Sequence, residues 1–399
     1  MTTKLTPEMN KISNSRIDVA DVLRGLAVFG IILLHSIEHF NFYSFPDTTG
    51  QGALLDFTDK AIWNGMFFTF GGKAYAIFAL LFGFSFFIQD NKQQLQGKDF
   101  RLRFCWRLLL LFVIGNINAV FFTGEVLVLY SIVGFIMPLT CRLSDRNLLI
   151  IGAILLLQPL HIIYTLISIA DPNFTLPIIQ TRALWGVANQ MHVEGNFLQM
   201  AKVNLWEGQL ASLAWAWDNA RFFQSAALFI FGMLLGRRGL FKVERLKFWY
   251  HGIAWSLLLF FPLYGLSGMM TTDYIANEAT QKSLKLIITS LSNFTFTMFL
   301  TSATIVLYYN SNTLRNILSK LIPYGRMSLT NYLTQSIAGA FIFYNWGLGL
   351  YDTLGITYSF LFGALLFILQ YTLCRVWLRH HKQGPFEYLW KRATWIGSK

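Results

Sequence analysis

Four ionisable side chains lie along one edge of the first apolar segment, Ile17 to Phe40 (IDVADVLRGLAVFGIILLHSIEHF). At about 100° per residue in a helix, Asp21, Arg24, His35 and His39 share a stripe roughly 60° wide. Ionisable groups are costly inside a bilayer and by default mark function, so this edge belongs against a protein interior or a wet cavity. Arg24 and His35 are separated by about 16 Å along the helix axis. Histidine is the natural general base near neutral pH, and the planar fork of arginine suits phosphate. The pair fits acyl transfer, in which a base takes the nucleophile's proton, a donor stabilises the oxyanion and cations hold the donor's phosphates. Structural readings compete. Arg24 would pair with Asp21, and His35 would make an interhelical hydrogen bond. For His39, beside Glu38 at the water boundary, the structural role is preferred.

Other polar groups extend this chemistry. Glu125 opens a later apolar segment near the level of His35 and Asn118, and would either orient the imidazole or stabilise a helix N-terminus. Lys73 is expected at mid-depth in the second apolar segment, where it needs a carboxylate or phosphate partner. Arg101, Arg103, Arg107 and Arg326 fall on the same side as Arg24 and would enlarge a cationic mouth. Asn331 and Gln335, one turn apart, read as hydrogen-bonding between helices, and His161 as a satisfied interior residue. No HExxH, Cys/His cluster, GxGxxG or Walker pattern is present, so no metal is expected.

The elements that must position these groups follow from composition. The chain has 399 residues, 54% hydrophobic, 17% aromatic and 13% charged, against roughly a quarter charged in soluble domains; mean hydropathy is +0.47. Disorder and a disulfide-stapled secreted fold are excluded. The expected fold is an all-α membrane protein with about ten transmembrane helices, near 22–39, 66–89, 105–121, 125–141, 148–169, 222–236, 249–269, 286–308, 327–346 and 355–378. With both termini placed in the cytoplasm, inner segments carry 22 Lys and Arg and outer segments 6, the asymmetry of the positive-inside rule. The net charge of +12 is thus spread over every inner loop, which argues against nucleic acid. Residues 170–221, with Trp185, Trp206, Trp215 and Trp217, read as interfacial helices on the outer surface. They are either a spacer or a lid. The expected organisation is a cytoplasmic segment 1–21, a first membrane half 22–169 with the site, the outer loop 170–221, a second half 222–378 and a cytoplasmic amphipathic segment 379–399.

The pattern D-V-L-R-G-L-A followed by His35 resembles the first-helix motif of the acyltransferase-3 family. More of the chain is similar to the YeiB-like bacterial membrane proteins, related to heparan-alpha-glucosaminide N-acetyltransferase. The matching blocks are Gly72-Lys73-Ala74-Tyr75 with Leu81-Phe82-Gly83, Gly124-Glu125-Val126-Leu127, Gly325-Arg326-Met327-Ser328-Leu329-Thr330-Asn331-Tyr332, and Gly384-Pro385-Phe386-Glu387-Tyr388-Leu389-Trp390. The last two are the most specific. Asp59-Lys60-Ala61 looks like the active-site stretch of the N-acetyltransferase, with Lys60 where that enzyme has histidine. The resemblance implies transfer of an acyl group, acetyl in the first instance, from cytoplasmic acetyl-CoA or another acyl-CoA to an extracytoplasmic glycan, lipid headgroup or small molecule, across a bacterial inner membrane. Membrane lipid is the expected surrounding, and a homodimer is left open. Two other classes stay open: a transporter of a small metabolite or lipid, and a non-catalytic binding protein.

Overall fold

The computed structural model describes residues 17–177, 179, 181–270, 275 and 277–397. Lys4, Lys11, Arg16 and Lys399 of the charge count, with most of the 1–21 segment, lie outside the described residues. All regular structure among the described residues is helical, with no strand.

The chain opens with α1 (Asp18–Ile37), followed by α2 (Ala53–Thr69), α3 (Ala74–Gln94), α4 (Arg101–Ala119), α5 (Leu127–Val133) and α6 (Ile136–Thr140). Next come α7 (Asp145–Leu156), α8 (Pro159–Ala170), α9 (Thr181–Glu194), α10 (Phe197–Val203) and, after a π turn, α11 (Gln209–Asp218). The second half holds α12 (Arg221–Arg237), α13 (Leu246–Met269), α14 (Glu278–Asn310), α15 (Asn312–Ser319), α16 (Ile322–Arg326), α17 (Ser328–Phe343), α18 (Ile356–His380) and α19 (Pro385–Thr394).

Among the described residues, six helical segments are long and apolar enough to cross a bilayer: α1, α2 with α3, α4, α13, α14 and α18. A seventh arises if α7 and α8, bent by 49°, form one span. The 125–141 segment is two short helices, and 222–236 and 327–346 correspond to α12 and α17, of 17 and 16 residues. The breaks have local causes. Pro159 starts α8 and disfavours the right-handed helical conformation at the residue before it; Gln158 is left-handed, with φ of 59°. The expected span at 66–89 is instead the end of α2, a break at 70–73, and α3. Gly72 turns the chain there with φ of 72°, leaving Lys73 at the start of α3 rather than inside a helix.

α1 is the axle. In its apolar window 78% of residues are buried, against 11% for the segment holding α13, so α1 is interior and α13 faces outward. α1 packs on α3, α16, α17 and α18. The approach to α16 is backbone against backbone, since a Cβ on Gly25 would lie 2.6 Å from the carbonyl oxygen of Leu321. Gly83 and Gly232 do the same for α3 and α12, where a Cβ on either would strike the carbonyl of Phe229 or Leu80. Small residues at such crossings let helix backbones close on one another.

Candidate functional site

The polar stripe on α1 does face inward, and a cavity lies at each end of it. At the end where α1 begins, a cavity of about 390 Å³ is lined by Asp21, Arg24, Ser85, Arg107, Arg326 and Glu387 among others. Arg24 donates to Asp21 at 2.6 Å and to Ser85 at 2.7 Å, so the structural pairing expected for it is present within the cavity wall. The guanidinium of Arg107 stacks on the ring of Trp390 at 3.5 Å, and Trp390 Nε1 donates to the Arg107 carbonyl at 3.1 Å. Both groups line this cavity.

The expected cationic mouth is smaller than the sequence suggested. Arg101 turns to Asp99, with Nη2 to Oδ2 at 2.7 Å; hydrogen bonds from the Arg101 side chain and backbone hold the Asp99 carboxyl down at about 2. Arg103 donates to the carbonyls of Thr394 and Ile396 and fastens the C-terminal helix. Neither lines the cavity. Lys73 is placed towards the opposite end of α1: its Nζ donates to the Phe67 carbonyl at 3.2 Å and sits 5.6 Å from the Phe296 ring centroid. It is buried beside Gly72 and Ala74, which line the second cavity.

That second cavity, about 670 Å³, is lined by His35, Glu38, His39, Tyr75, Glu125, Arg221 and Tyr332 among others. Gln335 Nε2 lies 3.5 Å from His35 Nδ1, the interhelical contact expected of Gln335. Phe122 packs against the imidazole with ring centroids 4.7 Å apart. Glu125 does not bond His35. Its carboxylate accepts from Asn118 Nδ2 and from the backbone N–H of Leu127 at the start of α5, so it serves a helix start in the cavity wall. Asn118 is fully enclosed and positions Glu125. His39 Nδ1 lies 2.8 Å from Glu38. Tyr43 donates to Glu38 at 2.9 Å, and burial first, then the Glu38 charge, push its hydroxyl far above the ordinary tyrosine range.

In the sequence Arg221 reads as one more loop cation. Its Nη1 donates to Tyr75 Oη at 2.7 Å and Gln224 Oε1 at 3.0 Å, and its guanidinium lies over the Tyr75 ring at 4.6 Å. Tyr75 is 146 positions away in sequence, although Gln224 is only three residues on, so an Arg at the start of an apolar run is the one sequence signal.

The 170–221 connection covers this cavity. Arg182, Trp185 and Asn189 of α9 and Ser212, Trp215 and Ala216 of α11 form part of its wall. The connection is fastened by His192, 1% exposed. Its ring stacks on Tyr344 at 4.1 Å, its Nε2 meets Asn204 Oδ1 at 2.9 Å, and its carbonyl accepts from Asn345 at 2.9 Å. Burial lowers the His192 imidazole to about 4.

The two cavities do not merge. Leu127 and Tyr130 line the first, while the neighbouring Val126 and Leu129 line the second. The two lining sets share no residue, and the segment 126–130 contributes to both. Of the remaining candidates, Asp59 is tied to Thr357 N–H at 2.8 Å and to its hydroxyl at 2.5 Å, while Lys60 is exposed. This stretch is a strut between α2 and α18 rather than part of either cavity. Glu387 accepts from the N–H groups of Leu329 and Thr330 at 2.7 and 3.0 Å and from the Thr330 hydroxyl at 2.6 Å. The two most specific sequence blocks are thus one structural unit.

Both blocks fall within residues 235–397, which match the family described as Protein of unknown function (DUF418). Along most of its length the chain is similar to YxaH of Bacillus subtilis (strain 168), 28% identical over 407 residues with 96% of each chain covered. It is also similar to a 39.9 kDa protein of the amylase 3′ region of Bacillus acidopullulyticus, 26% identical, covering 96% of this chain and 94% of that one. YeiB of Escherichia coli (strain K12) is 26% identical, covering 94% of this chain and 95% of the relative. All three are uncharacterized proteins by name, and the YeiB-like resemblance read from the motifs holds. No solved structure matches the chain.

Proposed function

We propose that this relative of the YeiB-like proteins is an integral membrane acyltransferase. It would take an acyl group, acetyl in the first instance, from acyl-CoA at the Arg24 cavity and deliver it to an acceptor at the His35 cavity. In this reading the chain has ten spans with the start of α1 and the C-terminal helix on the cytoplasmic side of a bacterial inner membrane, and the 170–221 connection outside. The observation that carries the proposal is the pair of cavities at the two ends of one helix, with arginines at one end and a histidine at the other, both bordered by residues 126–130.

The chemistry follows from the groups present. Arg24, Arg107 and Arg326 suit the phosphates of the donor. A span of about 16 Å from Arg24 to His35 is comparable to an extended pantetheine arm, which would displace side chains of the 126–130 segment as it enters. His35 takes the proton from the acceptor's hydroxyl or amine as the new bond to the acyl carbon forms. When the C–S bond breaks, the same imidazolium returns that proton to the departing thiolate, so protons balance. Arg221 and Tyr332 are the donors on hand for the oxyanion. Purified protein in lipid with labelled acetyl-CoA tests this directly. Free thiol and labelled acceptor are expected, both lost in His35→Ala; an unchanged rate in that variant overturns the assignment.

A transporter is the second reading, favoured by cavities that face opposite ends and do not join, as alternating access requires. It would move its substrate without consuming thioester, so the same assay separates the two.

A further inference from the structure

A third cavity, of about 390 Å³, lies between α8, the end of α11, the start of α12 and α14. The walls of the other two do not account for it, and only Arg221 is shared with the His35 cavity. Lys282 and Lys285 enter it from one face of α14, with Thr289 and Asn293 continuing the same face at helical spacing. Asp218 faces the cavity, and Glu278 pairs with Lys282 at 2.5 Å, so three cations meet two carboxylates and the balance is positive. Tyr164, Trp217 and Leu286 supply an apolar wall.

Position narrows the ligand. α14 has 33 residues, about 50 Å of helix against a hydrocarbon core of about 30 Å, so its ends rise into the headgroup zone. Lys285 is the last charge before the apolar run that starts at Leu286, which puts both lysines at the level where lipid phosphates lie. Arg221 is held rigidly by Tyr75 and Gln224, and a preorganised guanidinium loses little freedom on meeting a phosphate. A volume of this size accepts a small polar headgroup, with the glycerol and first methylenes against Trp217 and Tyr164.

We propose that this cavity binds a phosphate mono- or diester, carried by an anionic lipid headgroup or present as a free phosphate. The site does not depend on acyl transfer.

The test is native mass spectrometry of the full-length protein in detergent, titrated with phosphatidylglycerol, phosphatidylcholine or inorganic phosphate. The first expected result is one phosphatidylglycerol held at least tenfold more tightly than phosphatidylcholine, with at least a tenfold loss in the Lys282→Gln/Lys285→Gln variant and recovery in Lys282→Arg/Lys285→Arg. Both lysines are exposed at the cavity rim, so the variants retain the fold. Inorganic phosphate that binds with the same lysine dependence, without a lipid preference, supports the site with free phosphate as its source. Equal binding of the two lipids with no lysine-dependent phosphate binding overturns the proposal, as does any binding that the glutamine variant leaves unchanged.

Discussion

The fastening of the 170–221 connection by His192 makes the cover of the His35 cavity sensitive to acid. The imidazole is buried and neutral, lowered from its ordinary value of 6.5 to about 4. A base whose folded value is depressed contributes its full stability above the unfolded value. As pH falls from 6.5 towards 4, the unfolded segment takes up a proton that the packed ring refuses, and stability is lost. The difference of about 2.5 units corresponds to ~3 kcal/mol, or a few hundredfold in the opening equilibrium. Above pH 7 the term is flat. Hydrogen exchange of the 181–218 amides at a series of pH values, corrected for intrinsic exchange, reads it directly. Opening is expected to steepen between pH 6.5 and 4 in the wild type and to lose most of that slope in His192→Gln, which keeps a polar group near Asn204 but does not titrate. Equal slopes in the two proteins would refute the reasoning, because another group would then be titrating.

Arg107→Met is expected to weaken acyl-CoA binding at least tenfold in a direct titration, whereas Arg103→Met, whose guanidinium serves the Thr394 and Ile396 carbonyls, leaves it within twofold. Glu387→Ala removes three hydrogen bonds at the start of α17 and should cost about 2–3 kcal/mol, seen as a lower melting temperature; Glu387→Gln should recover part of it. Gly232→Val drives side-chain atoms into the Leu80 carbonyl and is expected to abolish the folded fraction in size-exclusion profiles, with Gly232→Ala intermediate. Asn118→Leu leaves the enclosed Glu125 carboxylate without its amide donor and should reduce acyl transfer in the labelled-acetyl assay more than it changes acyl-CoA binding.

The local features were legible. The α1 stripe follows from a fixed rotation per residue, and the structure turns it inward as the cost of buried charge requires. The Pro159 break and the Gly72 turn are backbone constraints written in single residues. Lys73 stands at a helix start rather than inside a helix, whereas hydropathy averages over a window and runs across the Phe70–Lys73 break, which Gly71-Gly72 marks.

What tertiary structure alone decided is pairing. Arg221 with Tyr75, Arg107 with Trp390 and Glu387 with the start of α17 join residues 57 or more positions apart, and no periodicity encodes which helix face meets which. The sequence by itself determined that the chain is helical, poor in charge and carries an inward edge on its first helix. Which basic residues face a cavity, and which merely fasten a neighbouring helix, was settled by packing, because a side chain's role depends on the void or partner that distant segments bring to it.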